Sequence, residues 1–180
     1  GLVVAGSCGA KDVFLTDFTE ACRVNMAHNI LINQDWLHET QQPTTTVTQG
    51  YLEWSSFIDC SRHDDLPASK EHDQTCLEAF STADIMLAAD VTYDVESLKP
   101  LVAIVVQFLQ KSPSTKKAIF GITKRNMKTF NTFIELLKEK DIAYEWIWTG
   151  QDCPPLPLWF PCKFTQQRSD VKIASLTMTY

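Results

Sequence analysis

Asp17 closes the β-favouring run Asp12-Val-Phe-Leu-Thr, and a carboxylate there offers two acceptor oxygens in one plane, able to take both hydroxyls of an adenosine ribose. Capping the next helix is an equally good use of it, with Glu20 three residues on. The two roles are compatible. Trp54 ends the alternating run 47 to 54, where an indole can stack on an adenine face or serve as an ordinary core or rim anchor. Asp90 stops the apolar run Asp84-Ile-Met-Leu-Ala-Ala, and Tyr93 follows three residues later, so acid and phenol can lie side by side. The acid can equally cap the following helix. His63-Asp64-Asp65 and His72-Asp73 lack regular metal-ligand spacing and fit a solvated loop, so no metal is expected.

The elements that must position these residues alternate between two periods. Residues 1 to 8 read as a small-residue apolar helix, 12 to 16 as a strand, and 18 to 32 as a helix with an apolar stripe through Phe18, Ala21, Cys22, Ile30 and Leu31. A Thr-rich loop is expected at 34 to 46, a strand at 47 to 54, and a polar insertion at 55 to 82 that holds a short helix at 76 to 80. Residues 84 to 89 suit a central strand buried on both faces. Helix 96 to 110, strand 117 to 123, amphipathic helix 126 to 140 and strand 142 to 148 continue the alternation. A Pro- and aromatic-rich segment at 152 to 164 then leads, without a crossover helix, into a last strand at 171 to 180, which therefore pairs antiparallel. In open parallel sheets ligands bind beyond the carboxyl ends of strands, which singles out Gly1, Asp17, Trp54, Asp90 and the loop after Trp148.

A chain of 180 residues, 44% hydrophobic and 21% charged, suits one globular domain spanning 1–180. The net charge of -6 and pI near 5.1 disfavour duplex nucleic acid or an anionic membrane as partner. The longest apolar run, residues 101 to 106, is far short of the ~20 residues of a membrane helix. A cytoplasmic protein acting on a protein or a small molecule is expected. Six scattered cysteines without a CxxC pair read as reduced thiols, mostly buried.

Gly1-Leu-Val-Val, Phe14-Leu-Thr-Asp17, residues 25 to 33, Leu52-Glu-Trp54 and Ala88-Ala-Asp-Val-Thr-Tyr93 together resemble the methyltransferase-16 family of seven-β-strand protein lysine methyltransferases, across nearly all of the chain. Thr123-Lys-Arg-Asn126, Trp159-Phe-Pro161 and Ala174-Ser-Leu-Thr-Met are most similar to members that act on elongation factor 2. The resemblance implies a Rossmann-like α/β sheet ordered 3-2-1-4-5-7-6 with a C-terminal antiparallel hairpin, S-adenosylmethionine as cofactor and a protein lysine as acceptor. It implies that Gly1 is the last glycine of the cofactor loop, that Asp17 holds the ribose, and that Trp54 and Ala89 flank adenine and methionine. Asp90 and Tyr93 would face the methyl-transfer centre. Glu53 stands where the family more often has aspartate, and the first strand with most of its glycine loop is missing. A sheet without that central strand is expected to expose unpaired backbone and to be unstable.

Methyl transfer asks for in-line approach of a neutral amine, so a lysine of reference pKa about 10.4 must shed a proton first. Asp90 can orient the ammonium and Tyr93 can line its channel, while 152 to 164 forms an entrance wall or a rigid connector. Asp152-Cys-Pro-Pro does not follow the fourth strand, so base methylation is disfavoured. A nicotinamide-dependent oxidoreductase shares the ribose acid but not the terminal hairpin. A non-catalytic interaction protein on a truncated methyltransferase scaffold is the stronger alternative.

Overall fold

The computed structural model describes residues 2–40, 45–58, 74–112, 115–149 and 171–179. They belong to two compact units, Gly1–Ala83 and Asp84–Tyr180, each built on its own sheet.

In the first unit α1 (Leu2–Ser7), β1 (Asp12–Asp17), α2 (Glu20–Ile32), α3 (Gln34–Thr40), β2 (Thr46–Tyr51), a 3-10 turn (Trp54–Phe57) and α4 (Gln74–Thr82) follow in order. β1 and β2 run parallel, in register from Asp12 opposite Thr46 to Asp17 opposite Tyr51. Gly50 is required there, because a Cβ would lie 2.8 Å from the Phe14 ring and 3.3 Å from Cys76. Leu52, Phe57, Cys76, Leu77 and Phe80 make the core, with the Phe57 and Phe80 rings 5.4 Å apart.

Three expectations for this unit are corrected. Residues 34 to 40 form α3 instead of loop, because the Trp36 indole lies against Gly6 of α1, where any Cβ would overlap the ring. β2 ends at Tyr51, and Glu53 turns the chain by accepting from the Ser55 backbone N–H at 3.3 Å and its hydroxyl at 2.9 Å, so Trp54 opens a 3-10 turn. The apolar stripe of α2 is not buried: Phe18 before it and Val24, Leu31 and Ile32 within it are exposed. A sheet of two strands ~4.8 Å apart is narrower than a helix ~10 Å across, and leaves that face uncovered. Of the described cysteines, Cys76 is buried, whereas Cys8 beyond α1 and Cys22 on α2 are exposed.

The second unit holds β3 (Ile85–Ala89), α5 (Leu98–Gln110), β4 (Lys117–Thr123), α6 (Met127–Glu139), β5 (Ile142–Trp148) and β6 (Val171–Met178). Its sheet is ordered β3-β4-β6-β5, with β3 and β4 parallel and β6 antiparallel to both of its neighbours. The last strand thus pairs antiparallel, as expected from the sequence. α5 buries most of its circumference, including Leu98, Leu101, Val105 and Leu109, while α6 buries one face through Thr129, Phe133, Leu136 and Leu137. Phe133 stacks on Phe120 of β4 at 5.8 Å. β3 departs from expectation. It is an edge strand paired only with β4 among the described residues, and Ile85 and Leu87 are 54% and 50% exposed. An all-apolar strand signals burial on both faces, but with a neighbour on one side only, much of its surface stays open.

Candidate functional site

Because β1 and β2 are parallel and in register, their carboxyl ends share one edge of the first unit. Asp17 stands at the end of β1, and its backbone carbonyl accepts from the Leu52 N–H at 3.1 Å, which ties the start of the 52–54 segment to it. Asp17 Oδ1 accepts from the Thr19 backbone N–H at 2.8 Å and from the Thr19 hydroxyl at 2.9 Å. Thr19 in turn caps α2, its Oγ1 accepting from the Cys22 N–H at 3.3 Å. The capping role considered for Asp17 therefore belongs to Thr19, since Asp17 lies two residues before the cap position and instead orients the cap. Asp17 Oδ2 has no partner among the described residues. Trp54, half-buried, follows on the same edge at the start of the 3-10 turn. The edge offers a free carboxylate oxygen and an indole, the acceptor and the stacking surface that an adenosine needs.

In the second unit Ala89 ends β3 and is exposed. Asp90 follows with φ of 56°, a left-handed backbone that aspartate tolerates better than most residues, and its N–H donates to Gly121 O at 2.9 Å. This conformation holds the side chain beside the loop after β4, where Arg125 Nη2 donates to Asp90 Oδ2 at 2.7 Å. In the sequence Arg125 stands only within the Thr123-Lys-Arg-Asn126 resemblance, with no role at the site. The signal that finds it is topological: β3 and β4 are parallel neighbours, so the residues just past their ends meet.

Tyr93 is 69% exposed, its phenol turned to solvent, while the preceding Thr92 is buried and anchors the loop. Asp94 accepts from the Ser97 hydroxyl at 2.7 Å and from the Glu96 N–H at 3.3 Å, and these bonds hold its carboxyl below the usual range. Gly1, the 152–164 segment and the His63 and His72 clusters lie outside the described residues. Among the described residues no group of three or more His, Cys, Asp or Glu could hold a metal ion, and no helix is long and apolar enough to cross a membrane.

Compared with protein-family models, residues 1–140 match that of the lysine methyltransferase family. The chain belongs to this family. A search of the curated proteins finds no match. The lysine methyltransferase match covers β1, β2, β3, β4 and α6, and so every candidate site residue from Gly1 to Tyr93, together with Arg125.

Proposed function

We propose that this chain transfers methyl groups from S-adenosylmethionine to a lysine side chain of a protein in the cytoplasm, with elongation factor 2 as the first acceptor to test. The observation that carries this reading is the lysine methyltransferase match over residues 1–140. We also propose that residues 1–180 belong to a single methyltransferase domain. In support, the strand order within each unit, β2-β1 and β3-β4-β6-β5, matches a stretch of the order 3-2-1-4-5-7-6, namely 3-2 and 4-5-7-6. β1 and β3 each have one unpaired edge among the described residues.

The cofactor supplies, when bound, a methyl group on a sulfonium that passes in line to a neutral amine. In this reading Asp17 holds the ribose hydroxyls through Oδ2 while Oδ1 stays with Thr19. Trp54 covers the adenine, Gly1 ends the cofactor loop, and Ala89 and Asp90 border the methionine portion. Asp90 orients the incoming ammonium and Tyr93 lines its approach, with 152–164 as a wall of the entrance. Arg125, already paired with Asp90, keeps that carboxylate from holding the ammonium at full strength. Its guanidinium also disfavours a second cation nearby, which helps the lysine shed its proton.

The same ion pair favours the second reading, an interaction protein without catalysis, because it occupies the acid on the acceptor side. Tritiated S-adenosylmethionine, elongation factor 2 and the chain extended upstream by a family strand and glycine loop separate the two. Label on lysine, falling about 10- to 100-fold in Asp90→Ala, supports methyl transfer with Asp90 as an orienting group. Full activity of Asp90→Ala removes that role. Absence of label with the loop in place leaves the interaction protein.

A further inference from the structure

β5 is the last strand of its sheet, and Tyr144 and Trp146 on it stay half-buried beside α6. The two share one face, opposite Leu176 and Ala174 of β6. Phe130 of α6 stacks on Trp146 with ring centroids 6.1 Å apart and planes 20° from parallel, and Tyr144 meets Trp146 edge-on at 5.3 Å. Between helix and strand lies an open cleft of about 290 Å³, with these rings and Ile134 as its apolar lining.

Its rim is cationic. Lys124 Nζ sits 5.3 Å from the Phe130 ring centroid and Lys172 Nζ 5.0 Å from that of Trp146, so two ammonium groups converge on a pair of stacked rings. Lys138 lies two turns further along α6, ~12 Å from Phe130, and marks the other end. Glu135 is the one acid in the lining, which leaves three positive charges against one negative in a chain of net charge -6. None of the three lysines pairs with a carboxylate among the described residues. Three cations against one carboxylate on an apolar floor repel one another, and an anion with an apolar body relieves that repulsion while covering the rings.

We propose that this cleft binds an acidic peptide segment of a partner protein, with an apolar side chain against Ile134 and the rings and carboxylates toward Lys124 and Lys172 at one end and Lys138 at the other. β5 is the last strand of its sheet and is unpaired on its outer side among the described residues, so an extended peptide that enters the cleft has a free strand edge at hand. Three lysines and an acidic chain make a peptide a better occupant than a nucleic acid, whose affinity depends on many phosphate contacts.

Fluorescence anisotropy of the 180-residue chain, with a labelled peptide of one phenylalanine between pairs of glutamates, tests this without reference to methyl transfer. Binding is expected to saturate, to weaken with added salt, and to fall about tenfold in the K124Q/K172Q double variant. Because those two stems pack on rings, the exposed Lys138 provides a second variant that leaves the packing alone, and K138E is expected to weaken binding by about threefold or more. Unchanged binding in K138E, or equal binding of a peptide with lysines in place of the glutamates, overturns the proposal. Tighter binding of a single-stranded oligothymidylate than of the acidic peptide overturns it in favour of nucleic acid.

Discussion

At the residue scale, Asp17 has its two oxygens in different employment, and substitution can separate them. Asp17→Asn retains an acceptor for Thr19, so stability is expected to stay within about 0.5 kcal/mol, while affinity for S-adenosylmethionine falls about tenfold as a charge-assisted acceptor is lost. Calorimetric titration beside a urea melt of each protein checks both halves. Lys116 offers a test of burial. It is 5% exposed, its ammonium lies 4.4 Å from the centroid of the Phe108 ring, and burial pushes its pKa down, opposed by nearby Asp84 and reinforced by Lys111. A folded pKa below the unfolded value means that the unfolded chain binds more protons between the two. The penalty is thus fully present at neutral pH, and stability rises as pH climbs through the folded pKa toward about 10.4. Lys116→Met is expected to be more stable than the parent at pH 7, with the difference shrinking by pH 10 in urea melts. Asp94 runs the other way: its bonds to Ser97 and Glu96 contribute stability above the ordinary carboxylate pKa, lost as pH falls through its lowered value.

At the element scale, β3 is the strand whose sequence and surroundings disagree most. Its five apolar residues ask for neighbours on both sides, and among the described residues it has one. Exposed apolar edges recruit other chains. Leu87→Lys is expected to suppress self-association in light scattering, while shifting unfolding by no more than about 0.5 kcal/mol, since the side chain is half exposed. A loss above about 2 kcal/mol would mean that Leu87 is packed. Helix α6, by contrast, is locally self-consistent: Asn126 accepts from the Lys128 N–H at 2.9 Å, one face is apolar, and Lys140 ends it. Asn126→Ala is expected to lower stability by about 1 kcal/mol in thermal or urea unfolding.

At the scale of the whole molecule, Phe18, Val24, Leu31, Ile85 and Leu87 are exposed, and a net charge of -6 opposes association through them. That charge vanishes near pH 5.1, where turbidity of a fixed protein concentration is expected to peak and to fall on either side. Turbidity independent of pH would mean that the apolar surface is covered in solution.

Pattern and stop residues together were enough for the strands β1, β3, β4, β5 and β6 and for the helix α6, because alternation or spacing of 3 and 4 suits one regular form, and a short continuous apolar run bounded by turn residues suits a strand. The antiparallel last strand also followed from the chain, since the Pro-rich sequence of 152 to 164 does not read as a crossover helix. The candidate acids Asp17 and Asp90 were legible because they interrupt apolar runs. What sequence did not carry depended on a partner remote along the chain. α3 needs Gly6 to make room for Trp36, and the cap of α2 passed from Asp17 to Thr19 through side-chain geometry. Arg125 meets Asp90 only because two strands separated by a whole helix lie side by side. Exposure of β3 and α2 was equally out of reach, since an apolar side chain records a preference for burial and only the packed neighbours decide whether it is met.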